Sequence, residues 1–378
     1  MPNYLNQLNL ENFIHMLDDT TECYKFYWFD AILSIMAEGK FEIEFDEIID
    51  RMIVDAWYSV SEYHLHLGLK DGTGKIMNSL ERAVNKLIGH TELESEAGKE
   101  KIEIEIKKHN SLIRDEKYQI SKMVPYRLLS PFLTEVRGND KIWDQKRWLI
   151  AYIKEINTKN CLPYIIEDAV ALKKRVIISK EWQPMLLDYM VPIRSWIKLK
   201  KVRYLQDRNP GVPGIIYKLE PENERTRKLS HVRKLWNAIM ELSPIRDIYS
   251  DNLISPNGYE VDHFIPWSYI ANDEIWNLVP MESSLNSSKS NRLPKWEDYF
   301  HKFADRQYGM YQEVQKSDIL FKLFHECYRD NLVSIWASEE LYQPGISVSK
   351  FVNILESNMK PIYDSAHVQG YGLWNFVV

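Results

Sequence analysis

Cysteine is scarce in this chain. Cys23, Cys161 and Cys327 are the three in 378 residues, and they stand far apart. An odd number at wide spacing argues against a disulfide framework and against a zinc knuckle, and it fits a reducing cytoplasm. No apolar run approaches the roughly 18 residues of a membrane span, so no membrane partner is expected. The first residues, MPNYLNQLNLENF, lack a basic leader and an apolar core, and no signal peptide is read there. Neither an internal repeat nor a low-complexity tract is found. Net positive charge is absent too: the formal balance is −6, so affinity for nucleic acid would need a local basic patch.

What is present is ordinary for a globular protein, at 45% hydrophobic and 27% charged residues, except for its aromatics. Twelve tryptophans and 22 tyrosines favour well-packed helical layers over disorder. The length allows two or three domains. Residues 1–140 read as helical. Tyr24, Phe26, Tyr27, Phe29, Ile32, Leu33 and Ile35 form a dense apolar run, and Phe41 to Tyr63 carries Phe45, Ile48, Ile49, Met52, Ile53 and Trp57 on the helical period. The alternating IEIEI within Glu92 to Lys108 mimics a strand, but its flanking charges favour a solvated helix. His64 and His66 lack a carboxylate or cysteine nearby in sequence and are not read as a metal site. Residues 141–235 run from helices, through the short extended segments LPYIIED and KRVIISKEW, into a basic connection. Residues 236–300 hold the chemistry described next. In 301–378, Ile319 to Tyr328, Phe351 to Ile362 and the GYGLWNF tail suggest a helical and aromatic cover. The overall class is mainly α, with helical regions enclosing a small core.

The chemistry lies in Asn257 to Pro294, NGYEVDHFIPWSYIANDEIWNLVPMESSLNSSKSNRLP. Tyr259, Val261, His263 and Ile265 alternate like a strand, with Pro266 stopping further pairing. Ser283 is placed to N-cap a short helix that carries Asn286 and Lys289 on one face, with Pro294 beyond its end. Asp262 and an amide oxygen are few ligands. That suits Mg²⁺, with Mn²⁺ also accepted, since such an ion keeps several waters and takes other oxygens from a phosphate. His263 is then free to take a proton from an attacking water. Adjacent strand residues face opposite ways, so Asp262 and His263 can serve one phosphate only where the strand ends or bulges.

At these residues the chain resembles the HNH nucleases, in the variant whose last histidine is an asparagine. The HNH domain of CRISPR effector nucleases carries DH, N, N and K at similar intervals. The resemblance implies a ββα-metal fold that cuts DNA. Asp262 and Asn286 would hold Mg²⁺ and His263 would be the general base. Asn277 would tie down the loop between the second strand and the helix, and Lys289 would approach a phosphate. Arg292, beyond that helix, is expected to bind nucleic acid as well. Many HNH domains carry CxxC pairs for structural zinc ahead of the DH. Here Ile245 to Gly258 contains no cysteine, so zinc is not expected, and Ile248, Tyr249, Leu253 and Ile254 are expected to hold the hairpin by packing.

Arg194 to Lys234 holds twelve Lys or Arg against four acids, a local excess of eight positive charges. Trp196, Tyr204 and Tyr217 are interleaved with them. Lys200, Lys201 and Arg203 are the residues expected to neutralise DNA phosphates; the alternative is a solvated helix face with acidic partners elsewhere. The leading expectation is a metal-dependent DNA endonuclease in anti-phage defence or restriction, with an activating partner protein or a second copy of the chain. An inert HNH-fold binding module and a nuclease acting on RNA are the alternatives.

Overall fold

The run from Tyr24 to Ala37 (α1) is apolar on nearly every side, and a helix of that kind must be covered all round. In the computed structural model, which describes residues 8–18, 20–136, 140–159, 161–220, 229–256, 258–330 and 334–376, it lies at the centre of the first of two compact units. This unit comprises Met1–Pro210 with Lys218–Pro221. Phe26, Tyr27, Trp28, Phe29, Ile32 and Leu33 are all fully buried.

Strand β1 (Glu42–Glu44) precedes α2 (Phe45–Ser61), so the helix expected from Phe41 starts later. The reason is pairing: Glu42, Ile43 and Glu44 lie opposite Ile177, Val176 and Arg175. Next come α3 (Ser79–Ile88), capped by the Asn78 side chain, then α4 (Lys99–Lys108) and α5 (Asn110–Ser121). The IEIEI stretch is helical, as its flanks suggest: Ile102 and Ile106, one turn apart, are buried, while Ile104 faces solvent. After α6 (Lys146–Lys159), β2 (Tyr164–Glu167) and β3 (Arg175–Ile178) form the expected extended segments. They complete an antiparallel sheet with β3 in the middle. Helix α7 (Met190–Arg208) closes the unit against α1.

The second unit is Gly211–Tyr217 with Glu222–Val378. Helix α8 (Ser230–Leu242) leads to a hairpin of β4 (Tyr259–His263) and β5 (Leu278–Glu282), and α9 (Ser283–Lys289) follows β5 without a loop. Two strands and one two-turn helix bury too little surface to stand alone. The cover comes from further along the chain. After β6 (Leu293–Pro294), α10 (Trp296–Lys316) packs Phe303 on Phe264, and its buried Gln307 donates to the carbonyls of Ile275 and Leu278 at 3.1 and 2.6 Å. Helices α11 (Asp318–Asp330) and α12 (Val348–Gln369) pack on α10, and α11 also packs on α8. The aromatic tail does more than plug: β7 (Leu373–Trp374) pairs in parallel with β6, and Trp374 stands edge-on to Tyr249. Among the described residues no helix is long and apolar enough to cross a membrane.

One buried carboxyl of the first unit makes a measurable prediction. Burial, and next to it the neighbouring Asp30, push Asp55 from its usual value up to about 6. A carboxyl raised in the folded state contributes most to stability below its unfolded value, and that contribution is lost as pH rises through the folded value. Asp55→Asn is therefore expected to stabilise the first unit by roughly 1–3 kcal/mol at pH 8 and by little at pH 4. Thermal melts of both proteins across that range measure it; an equal effect at both ends would remove the burial argument.

Candidate active site

Strand β4 stops at His263, because Pro266 has no N–H to continue the ladder. Within the pair, Asp262 lies opposite Val279 and His263 opposite Leu278. Both side chains are buried, with 4% of each residue exposed. The alternation of the strand sends them to different surroundings. Asp262 Oδ1 accepts from Lys289 Nζ at 3.0 Å, and its Oδ2 accepts from the Tyr249 hydroxyl at 3.3 Å. His263 Nε2 lies 2.8 Å from Asp273 Oδ1. The two residues rejoin at one point: the Lys289 ammonium also donates to the His263 carbonyl oxygen at 2.7 Å.

Lys289 therefore differs from expectation. It is 1% exposed and turned inward, onto a carboxylate and a carbonyl, instead of outward toward a phosphate. Asn286, one turn earlier on α9, is half-buried. The cap of α9 differs as well. Glu282 occupies the N-cap position and Ser283 is already helical, its hydroxyl donating to the Gly258 carbonyl at 3.3 Å. Helix and strand abut directly, which moves the start by one residue. Arg292 is exposed at the end of α9 and curls back, its guanidinium donating to the carbonyls of Ser288 and Lys289.

Asn277 acts as a clamp, but on a different segment from the one expected. Its Oδ1 accepts from the Ile265 N–H and its Nδ2 donates to the Ile265 carbonyl, both at 2.8 Å, while its own carbonyl accepts from Phe264 N. It thus pins the chain leaving β4, just past His263. No loop separates β5 from α9 for it to hold.

The segment before the hairpin is held by more than packing. Ile248, Tyr249 and Ile254 are buried as expected, whereas Leu253 is 61% exposed. The main fastening is Asp247, a buried carboxylate that the sequence reading missed. Its Oδ2 accepts from Glu282 N at 2.7 Å and its Oδ1 from the N–H groups of Tyr249 and Ser250. Burial raises its pKa, and those three N–H donors oppose the rise. Tyr249, placed by that turn, reaches Asp262; burial, and then the Asp262 charge, hold its phenol well above the usual range. Asp273 was missed as well. Both are single polar residues in irregular segments, where no periodicity marks them.

A divalent cation fits the chemistry of this donor set. Asp262 and the His263 carbonyl already turn two oxygens onto one positive charge, the Lys289 ammonium. Among the described residues no group of three or more His, Cys, Asp or Glu forms a ready-made metal cluster.

The basic segment does not present its charge as expected. Lys201 is 4% exposed, with its ammonium over the Tyr27 ring, and Lys218 is fully buried over Tyr63. Lys200 pairs with Asp18 at 2.7 Å, Arg194 with Asp30 and Lys198 with Glu220. Arg233 pairs with Glu260. Arg203 remains exposed. Arg225, Arg227 and Lys228 lie outside the described residues. Of these acids Asp18, Asp30 and Glu260 lie outside the segment, where a count within it does not reach, while Glu220 lies inside it. His66 likewise has a carboxylate neighbour that sequence distance hid: its Nδ1 lies 2.9 Å from the buried Glu81.

The family model of HNH endonucleases matches residues 246–295, which contain β4, β5 and α9. Comparison with curated proteins and with solved structures found no match. The chain thus carries an HNH endonuclease domain in its second unit, and the match begins at the Asp247 turn.

Because Lys289 and Asp262 are both out of water, removing one partner strands the other. Lys289→Met is expected to destabilise the second unit by about 3–5 kcal/mol, and adding Asp262→Asn should restore much of the loss. Denaturant unfolding of the single and double variants tests this. A single variant within about 1 kcal/mol of wild type would show the pair to be dispensable.

Proposed function

We propose that this chain is a metal-dependent endonuclease that hydrolyses DNA phosphodiester bonds at the end of β4. The observation that carries this reading is that Lys289 joins the Asp262 carboxylate to the His263 backbone carbonyl inside the matched HNH segment. Asp262 and Asn286 would hold Mg²⁺, or Mn²⁺ in its place. When bound, the ion would act as a Lewis acid for the leaving oxygen. His263 is the general base, taking the proton of the attacking water. Asn277 fixes the backbone just beyond it, so the imidazole is held before substrate arrives. Lys289 balances the Asp262 charge, and Arg292, exposed just past the end of α9, would meet a phosphate.

The wider role we propose is bacterial anti-phage defence or restriction, with the large helical first unit recognising DNA or a licensing partner. One ββα site cuts one strand, so a double-strand break would need two copies or two visits. RNA is the competing substrate, because a metal and a histidine attack a phosphodiester without using a 2′-hydroxyl.

A second reading has one observation in its favour. The Asp262 carboxylate is engaged by Lys289 and Tyr249, and His263 is almost wholly buried, which is how an inert HNH module would look. Cleavage assays on plasmid DNA and a matched RNA, with Mg²⁺ or EDTA, decide between them. Metal-dependent nicking that falls by a factor of about 10² or more in His263→Ala is the expected result. Activity that survives EDTA or the His263 substitution would refute the assignment. A wild type that cuts neither nucleic acid, even with phage DNA, would favour the inert module.

A further inference from the structure

We infer that Asp273 is the positioning residue of the site: it fixes the tautomer and the orientation of His263. This rests on the reading of His263 as general base, but its structural half stands independently of it.

The contact itself is well placed. His263 Nε2 and Asp273 Oδ1 are 2.8 Å apart, and their side chains are 4% and 10% exposed. A carboxylate has no proton to donate, so the hydrogen between them belongs to Nε2. In a neutral imidazole that leaves Nδ1 as the basic nitrogen. A general base whose tautomer is set beforehand avoids populating the wrong one, as the acidic member of a serine-protease triad does for its histidine.

Asp273 is held for this task by its neighbours. It lies in the connection between β4 and β5, after the one-turn helix Trp267–Ile270. Ala271 ends that helix in a left-handed conformation (φ 59°), a strained choice for a residue with a Cβ. On the other side, the buried Glu274 accepts from the Trp276 indole at 2.6 Å and from the Ser334 N–H and hydroxyl at 2.7 and 2.9 Å. Asn272 donates to the same carboxylate at 3.1 Å. Glu274 thus anchors the connection, and Asp273 next to it is brought onto His263. Support of this kind, from residues that touch no substrate, is what a base needs to keep its aim.

The test separates orientation from mere folding. Asp273→Asn keeps the shape but offers an amide, which can present either a donor or an acceptor to Nε2. In wild-type protein, ¹⁵N-detected histidine spectra should show His263 protonated at Nε2. In Asp273→Asn that signature should shift toward a mixture or toward Nδ1–H, with the melting temperature nearly kept. Cleavage should fall by about 10²–10⁴ in kcat, with KM little changed. Asp273→Glu should recover part of it. In a His263→Gly background assisted by added imidazole, Asp273→Asn should cost far less than in wild type, because its effect passes through the missing ring. An unchanged tautomer in Asp273→Asn, or an equal loss with and without the His263 ring, overturns the inference. Should the wild type cleave nothing, a tautomer that depends on Asp273 would still uphold the positioning, and only the nuclease reading would fall.

Discussion

The contact on which the site depends is the buried pair of Lys289 and Asp262. Taking two charges out of water is unfavourable, and the loss is offset only by close geometry and further hydrogen bonds. Here the further bonds come from the His263 carbonyl and the Tyr249 hydroxyl. The pair therefore constrains three segments together: the end of β4, the last turn of α9 and the turn before the hairpin. A shift of any one would leave a charge stranded.

Around that pair, polar residues set the backbone where apolar packing could not. Asp247 ties the turn at its side chain to the end of β5, Asn277 pins the exit of β4, and Glu274 holds the connection between them. Each is buried and answers several donors or acceptors with one short side chain. In this segment, which has no cysteine, a carboxylate that gathers N–H groups provides the fastening. The surrounding helices supply what these few bonds lack, namely apolar area, through contacts such as Phe303 on Phe264.

Charge behaves differently. The excess of basic residues between Arg194 and Lys234 is real in the sequence, yet most of the described members are paired or buried. Lys201 and Lys218 place their ammonium groups over aromatic rings, so their charge serves packing within the first unit. A local count measures composition; only the fold determines which charges meet solvent.

Much of the architecture was legible in the sequence because it rests on short-range regularities. The dense apolar run of α1, the helical period of α2, the spacing of Ile102 and Ile106 and the chain-stopping Pro266 each depend on residues a few positions apart. The order of Asp262, His263, Asn277, Asn286 and Lys289 was enough to identify the HNH segment, since that motif is itself local. Tertiary structure decided the rest. That Lys289 turns inward, that Asn277 grips Ile265, that Asp273 meets His263 and that Glu81 meets His66 all follow from contacts between residues distant in sequence or in irregular segments. Such contacts leave no periodic trace, because their geometry is set by how strands, turns and helices are packed together.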